Sequence, residues 1–325
     1  MLARSRTLVV ALLLAPLACN GEGDKDKDVD PDDNPDPGAW LVGDNGTMIR
    51  FDAQGNASGY PLELDADLNA IACHGVRTAW VAGEESTVLH SRDAGASWDA
   101  IDLQLIADWR ALAVAEHTPE GAEAVWVVGD AGAVAYTPDG GASWIAVPGA
   151  DVDFTGVATD ADGNLAIAVA DDGSIWQLDE HAASSIRSGA TALRAIDWAT
   201  HADIAVAVGD DGTMLRAVAG DWTPVELSID HDLYAVRVAA DGSQIVAVGE
   251  AGVIVRLDGD ELKTIERQSE TLYALHLGAD GRGQAVGAAG SVLITSDAGA
   301  FWITWMLTDA PSLRGVDDFH AGGHL

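Results

Sequence analysis

The chain is a succession of short apolar runs cut by tight turns rich in Gly, Asp and Pro. One unit recurs: an apolar run ending in a small residue, a two-residue tip, another small residue and a second apolar run. It reads "WLVGDNGTMIRF" at 40–51, "WVAGEESTVLHS" at 80–91, "WVVGDAGAVAYT" at 126–137 and "IAVADDGSIWQL" at 167–178. Three more copies follow, "VAVGDDGTMLRA" at 206–217, "VAVGEAGVIVRL" at 246–257 and "QAVGAAGSVLIT" at 284–295. The residue aligned with Gly43 falls at 43, 83, 129, 170, 209, 249 and 287, so the step is 38 to 46 residues. A period of that length marks one supersecondary unit stacked many times. Val, Ile, Leu and Trp on both sides of a glycine-containing tip predict a β-hairpin, with Gly supplying the left-handed backbone of the turn. No apolar stripe at helical period competes with it.

A third element precedes each hairpin or ends the chain: "LNAIA" at 68, "WRALA" at 109, "FTGVA" at 154, "LRAID" at 193, "LYAVR" at 233, "LYALH" at 272 and "LRGVD" at 313. A fourth follows several hairpins, as in "SWDAI" and "SWIAV". Four strands per repeat and seven repeats predict an all-β fold, a seven-bladed β-propeller with four-stranded blades over residues 39–325. Sheets stacked around an axis bury both faces, which explains runs without clean polar alternation. "LRGVDD" has no hairpin after it, and "AWLVGDNG" has no such strand before it. The C-terminal strand is therefore expected to pair with the N-terminal blade as its inner strand. That closes the ring and removes an exposed sheet edge.

The first residues, "MLARSRTLVVALLLAPLACNG", have another character. Arg4 and Arg6 precede an apolar stretch too short to span a bilayer, and small residues with Cys19 follow. This resembles a bacterial lipoprotein signal over 1–18 with Cys19 as the lipid attachment point; an ordinary secretory signal is the alternative. Residues 19–38, "CNGEGDKDKDVDPDDNPDPG", hold almost nothing that can be buried and many like charges. They are expected to form an extended, disordered acidic tether. Localisation in the bacterial cell envelope follows, with Asn20 compatible with the outer membrane. If Cys19 carries lipid, Cys73 has no disulfide partner and reads as a buried small hydrophobe.

Charge narrows the partners. Against 52 Asp and Glu stand 17 Lys and Arg, a formal net charge of −35. Such a surface repels nucleic acid and anionic lipid, leaving contact with membrane to the N-terminal lipid alone. The nine histidines show no pair at metal-ligand spacing on one strand, and no phosphate-binding loop or nucleophile elbow occurs. No metal, cofactor or catalytic residue is expected, and a monomer is.

"SRDAGASW" at 91–98 and "TPDGGASW" at 137–144 match the Asp-box of sialidase-type BNR repeats, and "TSDAGAFW" at 295–302 departs from it at Phe301. With the "VGxxG" hairpin, the chain resembles the photosystem II stability/assembly-factor family of propellers. The resemblance implies a structural turn in which Asp93, Asp139 and Asp297 bind local backbone N–H groups. Gly95, Gly141 and Gly299 then allow the turn, while Trp98, Trp144 and Trp302 pack between sheets. It also implies a non-enzymatic scaffold that binds protein or helps to assemble a membrane complex.

Two features remain as candidate sites. The second position of the inner-strand element reads Asn69, Arg110, Thr155, Arg194, Tyr234, Tyr273 and Arg314, which a propeller places around one mouth of its channel. Arg110, Arg194, Arg314, Tyr234 and Tyr273 there suit a carboxylate or another anion, the basis of an alternative carbohydrate- or anion-binding, sialidase-like reading. Capping of strand ends is the competing structural role. The hairpin tips add an acidic rim through Asp44, Glu84, Asp130, Asp172, Asp211 and Glu250, suited to steering a basic partner.

Overall fold

The computed structural model describes residues 38–51, 56–119, 121–259, 261–265, 270–308 and 310–318. Cys19 and the expected signal and tether lie outside them. The described residues form seven four-stranded antiparallel sheets, blades 1 to 7. Blade 1 takes its inner strand from the C-terminus, Leu313–Asp318, followed outward by Ala39–Gly43, Thr47–Phe51 and Ala57–Gly59. Trp40 pairs with Asp317 and Leu41 with Val316, so the ring closes as the repeat pattern requires.

The other inner strands are Leu68–His74, Trp109–Val114, Phe154–Thr159, Leu193–Ala199, Leu233–Val238 and Leu272–Leu277, in blades 2 to 7. Second strands such as Thr78–Gly83 and Ile204–Gly209 are buried at every residue. Small Val and Ala side chains on both faces let neighbouring blades approach closely. Outer strands such as Asp221–Pro224 and Ile303–Met306 are largely exposed.

The glycine ending the second strand plays a different part from the one its turn suggests. Gly129, Gly209, Gly249 and Gly287 are extended, with φ between −163° and −170°. What they need is space. A Cβ on Gly209 would sit 2.0 Å from the Ala192 carbonyl oxygen, and on Gly249 1.9 Å from that of Asp232. The first tip residue then donates its N–H to that same carbonyl, as Asp210 does to Ala192 and Glu250 to Asp232. Left-handed backbone falls on the second tip residue, Asn45, Glu85, Ala131, Asp211, Ala251 and Ala289. In most copies the following glycine shares it, as Gly46 and Gly132 do.

The three segments with the Asp-box pattern form turns between third and outer strands. Asp139 accepts the Ser143 N–H at 2.8 Å and the Ser143 hydroxyl at 2.7 Å, while the Thr137 hydroxyl accepts the Gly141 N–H. The Ser143 hydroxyl bond, followed by the backbone bonds, holds the Asp139 carboxyl below its usual pKa. Asp93 repeats the pattern with Ser97. Asp297 keeps only the backbone bond at this place, from Phe301.

Candidate functional site

The hairpin tips and the second positions of the inner strands meet at one channel mouth. The three arginines do not converge. Arg110 donates two hydrogen bonds to Asp130, at 2.7 and 2.8 Å, and Arg194 makes the same fork to Asp210, both at 2.7 Å. Arg314 pairs with Asp44 and lies 3.6 Å from Asp67. Each guanidinium is thus held by the first tip residue of its own blade, the fixed geometry that bidentate Arg–carboxylate pairs favour. Mouth and rim thus meet in three ion pairs, one each in blades 1, 3 and 5. Among the rim residues, Asp44 and Asp130 are neutralised in this way. Asp172 accepts the Ser174 N–H, and Asp211 and Glu250 stand exposed. Glu84 is half-buried, its own N–H donated to the Asp67 carbonyl.

The uncharged members tie blades together. The Asn69 amide donates to the Trp109 carbonyl of blade 3, and the Thr155 hydroxyl to the Leu193 carbonyl of blade 5. Tyr234 and Tyr273 lie with ring centroids 5.7 Å apart. The Tyr234 hydroxyl meets Asp232 at 3.2 Å. Burial, then the charge of Asp232, pushes its phenol up to about 12. A tyrosine nucleophile needs the opposite shift.

Four acids unremarked in the repeat reading hold this face together. Asp67, Asp108, Asp153 and Asp232 immediately precede inner strands. Each accepts the N–H of the left-handed tip residue of the preceding blade: Asn45, Glu85, Ala131 and Asp211, at 2.7–2.9 Å. This bond offsets the roughly 1–2 kcal/mol that left-handed backbone costs a non-glycine residue.

Polar residues also gather toward the far ends of the inner strands. The fifth positions read Ala72, Ala113, Ala158, Asp197, Arg237, His276 and Asp317. Asp197 accepts the Val238 N–H of the next blade at 2.7 Å, and Asp317 likewise accepts that of Cys73 at 2.7 Å. His276 is buried with Nδ1 2.6 Å from Asp317 and Nε2 3.2 Å from Asp318. These three bring ligand-type atoms within 4.8 Å of one another. Burial alone would discharge the ring. The charge of Asp317 and its hydrogen bond outweigh burial and raise the His276 pKa to about 9. The arrangement is a doubly hydrogen-bonded imidazolium at the seam where the ring closes. Cys73 beside it is buried and free. A cavity of about 130 Å³ at this end is lined by Asp197, Arg237, His201 and Glu116 among others.

The profile of the photosynthesis system II assembly factor YCF48 family matches residues 24–293. The chain belongs to that family. Among solved structures, it is similar to "YCF48 bound to D1 peptide", at 18% identity and a TM-score of 0.63, over 79% of this chain and 94% of that one. It is also similar to YCF48 from Cyanidioschyzon merolae, at 16% identity and a TM-score of 0.62, over 80% and 97%. The WD40 propeller domain of Doa1 matches at 15% identity and a TM-score of 0.64, over 86% and 90%. At these identities the likeness to solved structures is one of fold. No curated protein sequence matches the chain.

Proposed function

We propose that this member of the family is a non-enzymatic, protein-binding scaffold of the bacterial cell envelope, carried on a lipid at Cys19 and an acidic tether. Family membership carries the reading, and the relative bound to D1 peptide supports a protein as partner. The mouth supports it from the other side. Its arginines are committed to Asp44, Asp130 and Asp210, and the Tyr234 hydroxyl, with its raised pKa, is not an activated nucleophile. The sialidase-like alternative needs those guanidinium groups turned together onto one carboxylate.

The partner's chemistry follows from charge. A net charge of −35 steers basic protein segments and repels acidic ones. The test is affinity capture by immobilised full-length protein from detergent-solubilised host membranes, with a glycan array in parallel. The expected outcome is a retained protein that is released by salt. Saturable glycan binding with no retained protein would reverse the assignment.

A further inference from the structure

Blades 4 and 5 leave between them a cleft of about 170 Å³. Its lining includes Ile167 and Ala205, the indoles of Trp198 and Trp222, and two polar side chains, Gln177 and Asp203. Leu165 and Ile186 at the cleft are 36% and 47% exposed. Other junctions show one way in which such a place is covered. At three other blade junctions, those made by blades 2, 3 and 7, an Asp-box covers the first aligned residue of the preceding blade's second strand. A Cβ on Gly95 would meet Trp40 at 2.4 Å, and one on Gly141 would meet Trp80 at 2.7 Å. The box tryptophans complete the cover: Trp98 stands edge-on to Trp40 at 5.6 Å, and Trp144 to Trp80 at 5.8 Å. Gly299 packs on Val246 in the same way.

Ile167 is the residue of blade 4 equivalent to Trp40 and Trp80. Blade 5 has no Asp-box to lay on it. Its third and outer strands are joined by the two-residue turn Ala219-Gly220, and Val218 pairs directly with Asp221. Ile167 is half-buried, whereas its equivalents Trp40, Trp80 and Val246 under an Asp-box, and Trp126 and Val206 without one, are buried. The molecule itself shows what fits such a place: an indole, set edge-on to the residue beneath.

We propose that this cleft receives one aromatic side chain, tryptophan above all, from an extended basic segment of a partner protein. The proposal rests on the protein-binding reading and names its anchor point. The cleft is smaller than the few hundred Å³ that hold a drug-sized ligand and suits a single anchoring side chain. Asp203 within it, Asp221 beside Trp222 and the net charge of −35 select lysine or arginine flanking the aromatic residue. The indole walls add a face for those cations.

The probe is acetyl-Lys-Trp-Lys-amide, titrated onto full-length protein by ligand-observed NMR, with acetyl-Lys-Ala-Lys-amide and acetyl-Glu-Trp-Glu-amide as controls. The Lys-Trp-Lys peptide is expected to bind at least tenfold more tightly than either control. Ile167→Trp, which fills the cleft, is expected to abolish binding. Trp222→Ala, which removes one wall, should weaken it about tenfold with the thermal melt retained. Asp203→Asn should weaken it two- to fivefold. Equal binding by wild type, Ile167→Trp and Trp222→Ala would overturn the proposal. So would a self-associated protein that becomes monomeric on Ile167→Trp, which would give the cleft to a second copy. Capture of a membrane protein equally by wild type and Ile167→Trp would remove the cleft and leave the scaffold reading standing. Peptide binding in the cleft with no protein captured would do the reverse.

Discussion

His90 is an acid-sensitive point in the seam between blades 2 and 3. Its ring stacks on Trp80 with centroids 3.6 Å apart and planes 14° from parallel, and the residue is 1% exposed. Neither ring nitrogen has a hydrogen-bond partner. Burial, then the charge of Arg92, lowers its pKa to about 3, so the native protein holds a neutral ring. The unfolded chain titrates near 6.5. The sign follows. The contribution is complete above about 6.5 and is lost as pH falls toward 3, because the unfolded state takes up a proton that the native state refuses. At pH 5 the gap of about 1.5 pH units is worth about 1–2 kcal/mol, after allowance for solvent at the edge of the stack. His90→Phe keeps a flat ring and cannot be protonated. Blade 3 offers the precedent, where Tyr136 stacks on Trp126 at 4.3 Å. Urea denaturation of both proteins at pH 7.5 and pH 5.0 measures the effect, since other titrating groups cancel in the difference. The variant is expected to gain about 1–2 kcal/mol on wild type between the two pH values. An unchanged difference would refute the buried neutral histidine.

His276 works in the opposite direction. With its pKa raised to about 9, its stabilisation is complete below about 6.5 and lost as pH rises through 9. Thermal melts from pH 7 to pH 10 should show an alkaline decline that Asp317→Asn flattens, and His276→Ala should cost about 3–5 kcal/mol at pH 7. Gly209→Ala should cost at least about 2 kcal/mol in urea midpoints, because its Cβ meets a backbone carbonyl at 2.0 Å. The same change at Gly59, where no atom lies within 4 Å, should cost less than about 1 kcal/mol. Asp139→Ala removes the Ser143 bonds and should cost about 1–3 kcal/mol by chemical denaturation, while leaving capture of the partner unchanged.

The parts of this fold that repeat can be read directly from the chain. Seven glycine-tipped hairpins at a near-constant step specify the blades, and the orphan strand "LRGVDD" specifies how the ring closes. The Asp-box turns are local chemistry within eight residues and are equally plain. What escapes is chemistry made between strands, within a blade or across a seam. Arg110 and Asp130 are 20 residues apart and His276 and Asp317 are 41 apart, so no spacing rule along one strand joins them. Asp67, Asp108, Asp153 and Asp232 did leave a signal, an Asp just before the inner strand in four of seven repeats. Its meaning depends on the tip of the neighbouring blade. The cleft over Ile167 is harder still to read, because blades 4 and 6 also lack the Asp-box and yet Trp126 and Val206 beneath them are buried.

The claim that this propeller works by holding another protein is tested most directly by carboxylate-reactive cross-linking of the full-length protein in host membrane extract, read by mass spectrometry. Its abundant surface acids report on nearly every face. The account predicts cross-links to a basic segment of one partner, clustered on a single region of the ring and lost when salt screens the charges. Cross-links scattered evenly over all seven blades, or found to no protein at all, would contradict it.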